Sequence, residues 1–497
     1  MKTNYIKRLL VFGIILGLIS CTSDFDNINK NPNAGESINE IYYLTKVITT
    51  TAYQYQEDAY MSKPACACRY ITKLRNNGDD LLTWTAEGWD NYYACLSTNK
   101  TLYDQAEADG AEQYMALSRI LEVFNFEYIT ELWGDIPYSE ALHSKDQGII
   151  YPKYDTQETV YPDLIKKLDE ANTTLKNTSL SIDGTADVMF KGNVLKWRKF
   201  ANSLRLRMLL RESKKVSTAI SEIQKMVNDQ NTYPIMSNND DNAEIPYVNT
   251  YLWPGGPTKA GSLTDPTKEF IKRRPSKEII DFMVERNDPR LPILFDKVSD
   301  ISASTVDKND YVGCPISLTS PYIYNGGDTQ ISTLNKDIFY QDMNSQVKAS
   351  MMIYPEVCFI LAEVTQQKNV AVPGETAKSL YEKGIAAALN YWGVNSSDIN
   401  TYLKQKNVVY DGSLKQLIGQ KWAALFIKGA EGWFDYRRTN DVLEFNKQII
   451  GESAGQLYLP YRYIYPDGER AQNNNQYLTA IKVFGDDNIN TKMWLIK

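Results

Sequence analysis

The chain carries 497 residues, with 54 Lys and Arg against 61 Asp and Glu and a formal net charge of −7. Lys2, Lys7 and Arg8 stand together at the amino end, so the remainder is more acidic still, which excludes nucleic-acid binding and a polybasic grip on anionic lipid. The length allows a large core, with about three domains as a soft prior, and 34 Tyr and 9 Trp are more aromatics than a helical core needs.

Residues 1–20 follow the grammar of a secretory signal peptide: a basic start, an apolar run over 9–19, and a short closing segment before Cys21. The run is shorter than the roughly 20 residues of a spanning helix, and no later stretch is apolar enough to span. Leu18-Ile19-Ser20-Cys21 resembles the lipobox of bacterial lipoproteins, in which the thiol is acylated and becomes the new amino terminus. The expectation is an exported protein held to a membrane by lipid at Cys21. A polar, flexible tether over 21–37 would lead into one helical domain over 38–497. Asp24 and Asp26 lack the Gly and closing Glu of an EF-hand loop.

Beyond the tether, helical periodicity dominates. Tyr114, Leu117, Leu121, Phe124, Tyr128 and Leu132 recur at three- and four-residue steps and share one helix face. Tyr161, Leu164, Ile165, Leu168 and Ala171 form a second stripe, and Val194, Trp197, Ala201, Leu204 and Met208 a third. Further helices are predicted over 352–364, 380–389 and 414–428. Segments 118–133 with 158–175, and 354–365 with 375–390, read as helix–turn–helix pairs. In the latter, Ala377, Gly384 and Ala388 are small enough for close approach, as in tetratricopeptide repeats. The predicted fold class is all-α, a tetratricopeptide-like helical-repeat scaffold with long irregular insertions at 231–270 and 298–335 that carry the ligand-binding region. Loops of that length are usually functional or disordered, and their aromatic content argues against disorder.

Chemistry that needs several histidines is excluded, because His143 is the one histidine. No His-based zinc cluster, GxSxG elbow, P-loop or Rossmann glycine fingerprint is present. Cys66, Cys68, Cys95, Cys314 and Cys358 are an odd set and read as buried thiols, with a bond from Cys66 or Cys68 to Cys95 open in an oxidising compartment. The stretch 238–242 reads as a polar loop without metal, and no cofactor is expected. Paired carboxylates could serve a glycosidase: Glu356 and Glu363 share a helix face, and Glu431 lies close to Asp435. Set among Met, Ile, Phe and Leu, they are expected instead to meet Arg205, Arg207, Arg437 or Arg438 across helical interfaces, in a protein that binds without catalysis.

A sugar ring presents an apolar face of C–H groups and a belt of hydroxyls, which flat aromatic rings and short polar side chains match. The segment LLTWTAEGWDNYYACLSTN at 81–99 sets Trp84, Trp89 and Tyr92 beside Asn91. The insertions add Tyr251, Trp253, Tyr322 and Tyr324. These residues are the candidate ligand-binding face, and peptides would suit it too.

Several segments taken in order resemble the SusD/RagB family of Bacteroidota outer-membrane lipoproteins. They are DFDNINKNPN at 24–33, WGDIPYSEA at 133–141, KWRKFANSLRLRMLLR at 196–211, NDPRLP at 287–292 and MIYPEVCFILAEV at 352–364. QKWAALFIKGAEGWFDYRRTN at 420–440 and YRYIYPDGERAQNNNQY at 461–477 complete the series. The resemblance implies four tetratricopeptide-like helix pairs and a variable remainder that holds the ligand. It also implies a lipid-anchored, surface-exposed place on the outer membrane and a SusC-like TonB-dependent barrel as partner. The protein would capture oligomeric nutrients, glycans first and peptides as the alternative, and pass them to the barrel. Trp84, Trp89 and Asn91 stand near the positions where starch-binding members carry a stacking Trp and a sugar-contacting Asn. Trp422, Trp433, Tyr436, Arg437 and Arg438 read as residues that pack and pair across helices.

Overall fold

The computed structural model describes residues 40–75, 77–247, 272–339, 347–448 and 458–497. The signal segment, Cys21, the tether, Tyr251 and Trp253 lie outside them. The chain first lays down α1 (Glu40–Met61), α2 (Asp90–Ala108), α3 (Glu112–Trp133), α4 (Gln157–Asn177) and α5 (Val194–Glu212), each packed on the next. The short α6 (Ala219–Asn228) comes after α5, and α7 (Lys277–Glu285) stands between the two insertions. The stack continues from α5 to α8 (Tyr354–Lys368), which packs on α9 (Ala377–Tyr391) and α10 (Leu414–Ala424). Helices α11 (Glu431–Thr439) and α12 (Asn474–Phe484) complete it.

Local chemistry sets these boundaries. Asn193, Ser276, Thr376 and Ser413 each accept a hydrogen bond from the amide three residues on, satisfying a donor that the helix start leaves open. The predicted stripes fall on α3, α4, α5, α8 and α9. A Cβ on Gly384 would lie 2.9 Å from the Phe359 ring, so the small residue in α9 does permit close approach to α8. The helix expected over 414–428 stops at Ala424 instead, because Ile427 and Gly429 take positive φ. At Gly429 a Cβ would meet the Tyr55 ring at 1.9 Å. Strands are short antiparallel clips: β1 (Ile71–Lys73) with β5 (Arg273–Pro275), β2 (Ile136–Pro137) with β3 (Tyr154–Asp155), β4 (Ala243–Pro246) with β8 (Lys348–Met352), and β6 (Phe295–Asp296) with β7 (Thr333–Leu334). The fold is all-α, with these clips fastening the insertions to the helical body.

The carboxylates singled out in the sequence are buried and paired. Glu356 takes both arms of Arg207, Nε at 2.7 Å and Nη2 at 2.8 Å. Arg211 donates to Glu127, to Glu131 at 3.3 Å and to Glu431. Arg437 reaches Glu131 at 3.0 Å, while Arg438 bridges Glu363 at 2.8 Å and Asp435 at 2.7 Å. Lys421 closes on Asp435 at 2.9 Å, and the hydroxyls of Tyr55 and Tyr161 donate to Glu431 and Glu131 at 2.8 and 3.0 Å. Burial pushes the Glu431 carboxyl up, but Arg207, Arg211 and Lys421 more than offset it and hold the group below the usual range. Arg205 departs from the expectation and pairs at the edge with Asp169 and Glu222, both at 3.0 Å. Trp433 is fully buried and its indole donates to the Pro460 carbonyl at 2.6 Å. All five described cysteines are buried and free, which removes the disulfide from Cys66 or Cys68 to Cys95. The Cys66 thiol donates to Asp80 at 2.8 Å, and Cys95 lies 3.4 Å from the Thr51 hydroxyl.

Three variants check this core. Arg211→Ala leaves Glu127, Glu131 and Glu431 facing one another, and should lower the unfolding free energy in denaturant by about 3–5 kcal/mol. Removing Lys378 from its exposed pair with Glu382 should cost under about 1 kcal/mol. Asp58, buried beneath the hydroxyls of Tyr92 at 2.5 Å and Tyr128 at 3.1 Å, is pushed up to about 7 by burial. Its stabilising contribution is complete below the ordinary value of 3.8 and is lost as pH rises through about 7. Asp58→Asn removes that titration, so its melting temperature should gain on the native chain from about pH 4 to about pH 7 and no further above; a difference that stays flat over that window would refute the assignment.

Candidate ligand-binding face

The register of the β1–β5 clip, with Ile71 opposite Pro275 and Lys73 opposite Arg273, places the end of β1 beside the insertions. The Leu74 amide donates to the Lys272 carbonyl at 2.7 Å, and Leu74 then packs with Cys314 and Ile331 in a small satellite core that Leu318 and Tyr324 cover. Arg75, next in the chain, turns outward. Its guanidinium sits 5.2 Å from the centre of the Tyr322 ring and donates to Asp328 Oδ2 at 3.3 Å. Tyr322 is 42% exposed and Ile323 64%. Asp328 Oδ1 has no hydrogen-bond partner among the described residues.

Asn325 holds this loop in shape. It is 1% exposed and takes a left-handed φ of +56°. Its side-chain oxygen accepts the amides of Val306 and Asp307 at 2.7 and 2.8 Å, and its amide group donates to the carbonyls of Asp307 and Gln330 at 2.8 and 2.9 Å. An amide side chain used on every edge turns a long insertion into a defined platform. Gly326 comes next with φ +104°, and a Cβ there would lie 2.5 Å from the Ala303 carbonyl. Tyr322 is therefore presented outward while Tyr324, two residues on, is folded down.

Other expected binding residues are placed differently. Trp84 and Trp89 are each 5% exposed and Tyr92 7%. Trp84 packs edge-on against Trp433 and Tyr463 at 5.3 and 5.6 Å, and its indole donates to the Asp79 carbonyl at 2.9 Å. Trp89 lies among Tyr93, Trp133, Tyr154 and Tyr465, at 5.5 to 5.9 Å. Rings enclosed by other rings offer no open face, so Trp84, Trp89 and Tyr92 are corrected from platform to core. Asn91 is exposed on α2 and lines a separate groove with Tyr53, Gln54 and Glu57. Tyr251 and Trp253 fall outside the described residues. The sequence reading missed Arg75, Ile323, Asn325 and Asp328; Asn325-Gly326-Gly327-Asp328 shortly after Tyr322 was the available signal, since such residues tighten a turn.

Glu356, Glu363, Glu431 and Asp435 are committed to cations in the core, not to a cleft. His143 sits in a surface turn with Nδ1 2.8 Å from Asp146. Among the described residues no group of three His, Cys, Asp or Glu could hold a metal ion, and no helix is long and apolar enough to cross a membrane.

Residues 32–466 match the family model SusD-like_2, described as starch-binding and associating with the outer membrane. No curated protein matches the chain. Among solved structures, an outer-membrane protein of Bacteroides vulgatus ascribed to nutrient binding superposes with a TM-score of 0.78 at 23% identity, over 93% of this chain and 100% of its own. A SusD homologue from Bacteroides fragilis gives 0.76 at 25% identity over 93% and 100%. A chitin-binding protein gives 0.75 at 21% over 92% and 99%. With the family model spanning most of its length and the helical stack shared throughout, the chain belongs to the SusD-like family of outer-membrane nutrient-binding proteins.

Proposed function

We propose that the protein is a surface lipoprotein, acylated at Cys21, that captures glycan oligomers on the Arg75–Tyr322–Asp328 face and delivers them to a SusC-like TonB-dependent barrel. The observation that carries this reading is the exposed Tyr322 ring on a loop made rigid by Asn325, flanked by the exposed Arg75 guanidinium and by Asp328, whose Oδ2 it meets. A ring offers the apolar sugar face large contact at little entropic cost, while Arg75 and Asp328 donate to and accept from hydroxyls. Arg75 already leans on Asp328, so the pair carries no net charge toward the ligand, which favours neutral glycans over acidic ones. Binding proceeds without turnover on this reading, because the carboxylates that could act in pairs are occupied in the core. The description of one similar structure as chitin-binding agrees with a glycan ligand.

Titration calorimetry against neutral polysaccharides and oligopeptides tests the assignment. Tyr322→Ala should weaken glycan binding about tenfold, equivalent to about 1.4 kcal/mol, with the melting temperature unchanged. Heat from peptides alone would overturn the glycan reading. Cys21→Ala should move the protein from the membrane to the soluble fraction with its ligand affinity unaltered; retention in the membrane fraction would remove the lipid anchor from the account.

A further inference from the structure

A second cleft, of about 750 Å³, opens between α7, the start of α10 and the turn at 441–445. Its volume falls within the roughly 300–1,000 Å³ typical of small-molecule sites. Neither Arg75 nor Tyr322 lines it. Glu278 lines it, with a side chain 6% exposed. That carboxylate meets the fully buried Arg69 through a single contact, Nη2 to Oε1 at 2.5 Å, and Arg69 Nη2 also reaches the Phe445 carbonyl at 3.4 Å. Glu278 Oε2 and Arg69 Nε and Nη1 have no partner among the described residues.

Arg207 with Glu356, and Arg290 with Asp288, each bring two guanidinium nitrogens onto two carboxylate oxygens. Such two-armed pairing is the favoured geometry, and buried charge is tolerated where its hydrogen bonds are made. Arg437 with Glu131 and Arg462 with Asp487 are also joined through one nitrogen. There, however, the second carboxylate oxygen has partners of its own, Arg211 and Tyr161 on Glu131 and Arg470 on Asp487, whereas the buried Glu278 Oε2 has none among the described residues. At Glu278 the second arm is missing, and the carboxylate borders a cleft. An O–H or N–H donor seated there would complete it.

The mouth narrows the class of donor. Lys277 is paired with Asp281 at 2.6 Å, Arg286 with Glu285 at 3.3 Å and Lys415 with Glu444 at 2.5 Å. These pairs neutralise one another, so no excess of one sign selects a charged ligand. Arg286 also covers the Phe282 ring at 3.8 Å, which removes an aromatic platform for an apolar molecule. What remains is a mixed lining, polar side chains such as Asn407, Ser413 and Gln416 beside apolar Pro315, Trp422 and Leu443, around one buried acceptor. We propose that this cleft is a second ligand site for a neutral polyhydroxylated molecule, a mono- or disaccharide unit with a hydroxyl donated to Glu278 Oε2. It is independent of the Tyr322 face.

Saturation-transfer NMR on the folded chain tests it, with glucose, N-acetylglucosamine, xylose and maltose as neutral probes and glucosamine and glucuronate as charged ones. At least one neutral saccharide should give a signal that survives Tyr322→Ala and falls about fivefold or more in Glu278→Gln, a loss near 1 kcal/mol. Lys406→Trp, which crowds the mouth and leaves the buried pair intact, should produce the same loss; if Glu278→Gln fails to fold, that variant alone decides. Silence from every neutral probe, binding confined to a charged probe, or a signal abolished by Tyr322→Ala yet indifferent to Lys406→Trp would each overturn the second site. Loss at Tyr322 bears on the first face alone, so the two assignments fail separately.

Discussion

Burying Arg207, Arg211 and Arg437 is unfavourable unless every guanidinium meets its carboxylate, and those carboxylates stand on α3, α8 and α11. The requirement acts as a positional lock. An apolar seam between helices tolerates sliding and repacking, whereas a two-armed Arg207–Glu356 pair is satisfied in one arrangement only. Tyr55 and Tyr161 bring α1 and α4 into the same network. Helices from both halves of the chain are thereby fixed relative to one another around a single charged centre, although the chain between them includes long insertions.

That lock frees the insertions for recognition. Their backbone is held by short clips and by side-chain amides such as Asn325, and the helical body does not depend on their length. A rigid platform matters for binding because ordering a loop on contact would subtract from the affinity gained. Tyr322 therefore differs from the enclosed rings of Trp84 and Trp89 in its surroundings, not in its chemistry. The chain's many aromatics divide accordingly. Many pack ring against ring in the core, as around Trp89, Trp133, Tyr463 and Tyr465 and, separately, around Tyr70, Trp422 and Phe426, and few of the described ones face outward.

This division explains what could be read from the sequence. Stripes on α3, α4 and α5 were legible because helical period and burial go together, and the fate of Glu356 and Glu363 was legible because a carboxylate on an apolar helix face needs a cation. Trp84 and Trp89 were misjudged because composition cannot tell a ring that faces solvent from one that faces another ring. Arg75 escaped notice for a different reason. Its partner Asp328 is 253 positions away, brought near by the three-residue β1–β5 clip, by Leu74 packing on Cys314 and Ile331, and by a loop closed by Asn325. Contacts made by so few residues at such separation leave no periodic trace. Helix α11 was likewise read as packing residues without its boundaries, since buried arginines break the usual amphipathic pattern.

The proposed capture face is borne on loops and stands apart from the fixed charged scaffold. Hydrogen–deuterium exchange of the protein with and without a bound oligosaccharide tests that most directly. Protection should appear in 304–330 and around 71–75, with exchange in α3 and α5 unchanged. Protection confined to the surfaces of α2, α3 and α4, with 304–330 unaltered, would contradict it.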